Sequence, residues 1–460
     1  MGGVFTGRLL KHGDSDMTAG VIWKQLVQFS IPMAIGLLFQ QLYNTVDTIV
    51  VGRFVGKEAL AAVGSTSSII NMLVGLCAGL ATGASVVISQ CYGAHDHQRL
   101  HNAVHTTIAV TLIMSVAATF AGILIVPPML RLMATPEDVF YQAQEYLTIY
   151  FAGVSGLLVY NMGSGILRAV GDSRRPLYFL CFSAVINTVL DLLFVIRFRM
   201  GVAGVAYATI LSQFLSALLV LFVLTHDHTP YGIRWRELRI RRDTLSHILS
   251  IGLPSGVQQA ITSFSNVFVQ SYINFFGSAC MAGWSSYNKL DVFILIPLQS
   301  IALASTTFVG QNFGAGKTAR ARSGARQALV MSLIITAALS VLLMLCARPL
   351  LSLFTPDPEV IEYGARFIIL ISPFYITTCF NQIFAGALRG VGNAKVPMVI
   401  MLLSFVVFRQ LYLYIVRLLG NSFFFVAIAY PMGWILCSAL LTVCYKRSAL
   451  CRAGCASPAE

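Results

Sequence analysis

Three polar residues carry the first chemical signal in this chain. Gln40, Asn44 and Asp47 stand at i, i+4 and i+7 within FQQLYNTVDTIVVG, residues 39–52. A 3.6-residue period stacks them on one helical face. The surrounding run is apolar enough to cross a membrane, and a carboxylate in a span is costly unless it faces a bundle interior or a water-filled path. Asp47 therefore reads as a functional group, against the competing reading of a side chain snorkelling to the interface, roughly 8 Å away at 1.5 Å per residue. A second pair follows in SAVINTVLDLLFV, where Asn187 and Asp191 stand one turn apart on one face. Counting rise from the span ends puts Asp47 and Asp191 at about the same depth and Thr209 about 12 Å down. Two carboxylates, an amide and a hydroxyl at such depths suit either of two ions. Hard cations take oxygen ligands, so Na+ would be accommodated; burial and mutual repulsion would equally favour holding a proton.

These residues must be positioned by membrane helices. The 460 residues are 57% hydrophobic and only 11% charged, too apolar for a soluble domain of this length. Runs of about 20 apolar residues span a bilayer, and twelve are expected, centred near Leu38, Leu73, Met114, Val154, Ala184, Leu211, Ser263, Leu295, Ile335, Ile376, Val406 and Ile435. The first helix is expected to start behind Pro32. Residues 1–19 hold no cleavable signal peptide, and Met1–Thr6 fits an N-myristoylation pattern too loose to carry weight. The net charge of +13 falls mainly in the even-numbered connections, so both termini are expected in the cytoplasm of a multi-pass cell-membrane protein. The basic run RWRELRIRRD, Arg234 to Asp243, is then an orientation signal beside anionic lipid, and no nucleic-acid partner is expected. The ten cysteines lie mostly in spans and imply no disulfide framework; Cys451 and Cys455 lack a second ligand pair for zinc.

The chain repeats. Gln90-Cys91-Tyr92-Gly93-Ala94 returns as Gln311-Asn312-Phe313-Gly314-Ala315, and Arg99, His101 and His105 return as Arg320, Arg322 and Arg326. That recurrence of basic character favours a cytoplasmic amphipathic segment over metal binding by His97, His101 and His105. LRAVGDSRRP at Leu167 returns as LRGVGNAKVP at Leu388, each a Gly-centred turn before a helix-opening Pro. The expected fold is an all-α integral membrane protein of twelve transmembrane helices in two six-helix lobes, related by a pseudo-twofold axis along the membrane normal. The expected divisions are an N-terminal segment 1–23, an N-lobe 24–226, a basic linker 227–244, a C-lobe 245–446 and a tail 447–460.

Repeated across nearly the whole chain, QQLYNTVDTIVVGRFVGKEALAAVG, SQCYGA with FVGQNFGAGK, and LRAVGD with LRGVGN resemble the multidrug and toxic compound extrusion (MATE) family. The resemblance implies a cation-coupled antiporter whose two lobes enclose a central cavity and export drug-like organic cations. It maps the family's N-lobe cation site onto Asp47, Asn187 and Asp191, with Thr209 a weaker match. No cofactor is expected, only H+ and/or Na+ as the coupling ion, and no metal beyond Na+ at those three residues. Partners are expected to be small organic cations and membrane lipids, with the chain acting as a monomer.

The second half does not copy the site. Asn44 matches Asn266, but Asp47 falls on Val269, Asn187 on Phe408 and Asp191 on Tyr412. Its polar residues, with Gln40 and Asn44, are candidates for a substrate cavity: Gln259, Asn266, Lys289, Asp291 and Arg409. The competing reading of these amides is helix–helix glue. Asp291 and Arg409 share a depth of about 13 Å and are expected to pair, while Lys289 and Asp291, at i and i+2, point apart. No catalytic residue is expected: Walker A, HExxH and GxSxG motifs are all absent. The runner-up transporter reading is a lipid-linked oligosaccharide flippase of the same superfamily, and the different-class reading an intramembrane enzyme.

Overall fold

A computed structural model describes residues 16–133, 135–226 and 229–452. Met1–Thr6, Cys455 and the outer parts of both expected terminal segments lie outside them. No strand occurs among the described residues. The first repeat holds α1 (Ile22–Val50), α2 (Lys57–Gly93), α3 (His97–Leu132), α4 (Glu137–Ala152), α5 (Val154–Ala169), α6 (Arg174–Leu192) and α7 (Gly201–His226). The second holds α8 (Arg242–Asn274), α9 (Ser278–Gly314), α10 (Thr318–Leu345), short α11 (Ala347–Ser352), α12 (Pro358–Ile371), α13 (Tyr375–Gly390), α14 (Lys395–Leu402), α15 (Arg409–Leu418), α16 (Phe423–Ala427), α17 (Ala429–Lys446) and α18 (Ala449–Arg452).

Each expected span centre falls within a helix or at a break inside one span. Among the described residues nine helical stretches are long and apolar enough to cross a membrane, and the bent α4–α5 pair makes a tenth. α8, interrupted by Gln258, Gln259 and Asn266, and α17, with Pro431 and Lys446, are diluted by polar residues. The 47° bend between α4 and α5 centres on Gly153, where a Cβ would sit 2.4 Å from Ile210. Lack of a side chain there admits Ile210 of α7 into the break.

The chain forms two compact units, and their borders differ from the expected lobes. The first contains Ile35–Gly252; the second contains Met17–Ala34 and the chain from Leu253 onward. The linker therefore belongs with the first unit. Arg234 N–H donates to His105 Nε2 at 3.0 Å, the Thr106 hydroxyl donates to the Arg239 carbonyl at 3.3 Å, and Arg241 N–H donates to Thr106 Oγ1 at 3.2 Å. The beginning of α1 belongs with the second unit. Leu26, Phe29 and Met33 pack into a buried cluster with Ile301, Phe308 and Ile383. That burial starts the helix at Ile22, well before Pro32, which is accommodated inside it. Met17, just before, is fully buried: its N–H donates to Gln311 Oε1 and its carbonyl accepts from Asn312 Nδ2, each at 3.0 Å. The repeated Gln-Asn motif thus anchors chain in the second unit.

The matched turns also fold alike. Gly171 and Gly392 have φ of +92° and +90°, the left-handed region open to glycine. Asp172 Oδ1 then accepts from Arg174 N–H and Arg175 N–H, and Asn393 Oδ1 from Val396 N–H. In the first copy Asp172 and Arg175 also form a buried ion pair at 3.3 Å.

Candidate functional site

In the first unit Asp47 and Asp191 each sit within four residues of a following π-helical turn. Asp47 precedes Val51–Val55, and Asp191 precedes Leu193–Arg197. Such turns widen the backbone ladder and recur at functional sites. Val51 and Val195 lie in one buried cluster with Tyr146, Val202 and Val205, so apolar packing fixes the rotation of both helix ends. That packing brings the Asp47 and Asp191 carboxyls face to face. Tyr43 and Tyr146 border the pair, and Gln213 of α7 lies beside Tyr43 and Tyr150.

The pair is short of donors. Asp191 and Asn187 are buried and Asp47 half-buried. Asp47 Oδ1, both Asp191 oxygens and both polar atoms of the Asn187 side chain have no hydrogen-bond partner among the described residues. A buried unsatisfied group costs about 1–3 kcal/mol, more when charged. Two like charges 4 Å apart repel by roughly 4 kcal/mol at an effective dielectric near 20. A shared proton or a small cation relieves both costs at once, and the oxygen-rich donor set suits either. Thr209 is buried but donates its hydroxyl to the Val205 carbonyl in its own helix, leaving only lone pairs to offer. Gln40 is half-buried and Asn44 exposed, two turns and one turn before Asp47 along α1.

The second unit treats its charges differently. Asp291 accepts a hydrogen bond from the Tyr375 hydroxyl, which is also 2.7 Å from the Tyr287 hydroxyl. Arg409 is buried, donates to Ser265 Oγ at 3.0 Å and Asn266 Oδ1 at 2.8 Å, and lies 4.6 Å from the centre of the Tyr430 ring. The expected Asp291–Arg409 ion pair is therefore not formed. Equal depth fails as a guide because tyrosines and α8 polar groups partner each charge separately, leaving only Arg409 Nε without a partner among the described residues. Lys289 is exposed and stands 5.3 Å from the Phe354 ring, away from Asp291, as their i, i+2 spacing predicts. Gln259 is exposed, whereas its neighbour Gln258 is buried and donates to Met401 Sδ.

Sequence reasoning missed the aromatic frame around these charges. Tyr43 stands four residues before Asp47, Tyr146 and Tyr150 are four apart, and Gln213 is four after Thr209. That i, i+4 signal was present in the chain. The histidines at the start of α3 serve the linker: His101 and His105 stack at 3.8 Å, and His101 Nε2 lies 2.9 Å from Glu237 Oε2. The Arg234 side chain beside Glu237 holds that carboxyl below the usual glutamate range. Among the described residues no group of three or more His, Cys, Asp or Glu could hold a metal ion.

Against known proteins, the MatE family model matches this chain twice, over residues 32–193 and 254–415. The chain is 31% identical to the probable multidrug resistance protein YpnP of Bacillus subtilis (strain 168), over 86% of this chain and 88% of that one. It is 24% identical to a FAD transporter of Shewanella oneidensis, over 82% and 84%. Among solved structures it resembles an outward-facing multidrug resistance MATE family transporter of the MOP superfamily, with a TM-score of 0.89 and 27% identity, covering 96% of this chain and 99% of that one. A MOP superfamily transporter from Pyrococcus furiosus, whose binding pocket is described as of reverse polarity and suggestive of a different function, matches with a TM-score of 0.89 and 26% identity, over 95% and 99%.

Proposed function

The chain belongs to the multidrug and toxic compound extrusion family, and from that premise we propose that it is a secondary antiporter coupling inward H+ or Na+ to the export of organic cations. Membership makes it a multi-pass membrane transporter of the multidrug efflux type and not an enzyme. The observation that carries the coupling proposal is the Asp47–Asp191 pair, buried beside Asn187 without hydrogen-bond donors. In this reading the pair exchanges its cation between the two sides as the protein alternates access. Gln40 and Asn44, on the same helix as Asp47, are candidates to contact the exported compound, as are Gln259 and Asn266 on α8. Thr209 contributes lone pairs at the edge of the cation site. The chain works as a monomer in the cell membrane, with both termini in the cytoplasm and no cofactor.

The driving force suffices without ATP. One charge crossing 100 mV yields about 2.3 kcal/mol, which at about 1.4 kcal/mol per decade supports roughly 50-fold accumulation of a neutral substrate. The test is substrate-induced ion movement in proteoliposomes, with proton and sodium gradients imposed separately. Movement driven by one gradient and dependent on Asp47 and Asp191 supports the proposal; substrate export indifferent to both gradients sinks it.

A second reading, an anionic cargo, is favoured by buried Arg409 and by the FAD transporter among the relatives. Against it, the Arg409 guanidinium is already engaged by Ser265, Asn266 and the Tyr430 ring. Lys289, exposed beside Phe354, is the remaining cation that the same reading could use.

A further inference from the structure

The two repeats begin their third and ninth spans with matched basic positions, but the structure covers only one of them. In the first unit the linker lies over His101 and His105, with the Glu237 carboxylate 2.9 Å from His101 Nε2 and the Arg234 N–H donated to His105 Nε2. An acid from the chain itself occupies that position. At the matched positions of the second unit, Arg322 and Arg326 instead line a cavity of about 600 Å³ between α10, α13 and α17–α18. Lys446 at the end of α17 supplies a third cation to the same wall, and Thr442 adds a hydroxyl. None of the three cations meets a carboxylate among the described residues.

Beyond the hydroxyls of Thr318 and Ser323, the rest of the lining is mostly apolar. Phe384 and Tyr445 stack at 4.3 Å on the inner side of the cavity. Close by on the same helices, Val330 of α10 and Val443 of α17 are each 48% exposed, as expected of residues that face lipid chains. Cations gathered at helix ends, directly beside a lipid-facing apolar strip, match the two parts of an anionic phospholipid. A phosphate gives several acceptor oxygens to guanidinium groups, with the planar fork of arginine suited to bidentate contact.

We propose that Arg322, Arg326 and Lys446 form a binding site for the phosphate of an anionic membrane lipid, whose chains run along the α10 and α17 surface. The phosphate takes the place that Glu237 holds against the first repeat. The site is separate from the Asp47–Asp191 pair, which lies in the other unit.

The test uses the full chain purified in neutral detergent. Its thermal midpoint is titrated with short-chain phosphatidylglycerol, with phosphatidylcholine of the same chains, and with inorganic phosphate. Phosphatidylglycerol is expected to stabilise the wild type at concentrations where phosphatidylcholine does nothing. Arg322→Gln with Arg326→Gln should raise the concentration required by about 25-fold, on the basis of roughly fivefold per cation at an anionic lipid surface. Both side chains are exposed, so the double variant is expected to fold; its ligand-free midpoint serves as its own reference. Arg417→Gln, an equally exposed change at the far end of the α15 helix, should leave the titration unmoved. An equal response to phosphatidylcholine overturns the proposal, as does an undiminished response of the double variant. Saturation by inorganic phosphate alone, with no further effect of the lipid, assigns the site to a free anion and overturns the lipid assignment.

Discussion

The charges buried in the two repeats are handled in opposite ways. In the second unit Asp291 and Arg409 have neutral partners: Tyr375 donates to Asp291, and Ser265, Asn266 and the Tyr430 ring receive Arg409, whose Nε alone finds no partner among the described residues. In the first unit Asp47 and Asp191 face one another with donors missing from three of their four oxygens. Like charges that face one another with so few donors place a demand for positive charge that the second unit's separately partnered charges do not. The difference teaches that charge in a membrane helix is not by itself a reason to propose coupling; the proposal rests on the deficit of partners.

The largest effect that could sharpen this contrast concerns the matched turns. Asp172→Asn breaks a buried ion pair with Arg175, and loss of one partner of such a pair costs about 3–5 kcal/mol. The variant should show a much lower unfolding midpoint in detergent and poor accumulation in the membrane. A near-normal midpoint would mean that the first turn is no more dependent on charge than the second.

A smaller effect probes the satisfied charges. Tyr375→Phe removes the hydroxyl that donates to Asp291 and should destabilise by about 1–3 kcal/mol, read from thermal unfolding, while the ion dependence of transport stays unchanged. Exchanging Asp291 and Arg409 by Asp291→Arg with Arg409→Asp should rescue neither single change, because the two side chains do not pair. Recovery in the double variant would contradict that separation. Least costly is Asn393→Ala, which removes only an exposed cap on Val396 N–H; about 1 kcal/mol or less is expected, measured beside Asp172→Asn.

The repeat and the membrane class were legible because they rest on patterns that local physics enforces: apolar runs of bilayer length, and Gly-Asp or Gly-Asn turns before a proline. Asp47, Asn187 and Asp191 were legible because a polar residue in such a run stands out. The unit borders were not. Whether residues 17–34 pack with the first or second unit depends on Met17 meeting Gln311 and Asn312, a contact across nearly 300 positions that no periodicity encodes. The partners of Asp291 were illegible for the same reason. Depth along a helix is a one-dimensional quantity, and Tyr287 and Tyr375, ordinary aromatics in sequence, reach the carboxylate from directions that rise alone cannot give. The π turns after Asp47 and Asp191 likewise leave no clear mark in residue type.

The central claim, that Asp47 and Asp191 bind the coupling cation, is tested most directly by measuring the affinity of an organic cation for purified protein across pH and Na+ concentration, in wild type, Asp47→Asn and Asp191→Asn. Linkage requires that a cation which favours one conformation shift substrate affinity, and that substrate shift cation affinity equally. Wild-type affinity should depend on pH or on Na+, and both variants should still bind substrate with that dependence gone. A variant that keeps the full ion dependence and still drives export under a gradient would contradict the account and return that carboxylate to a structural role.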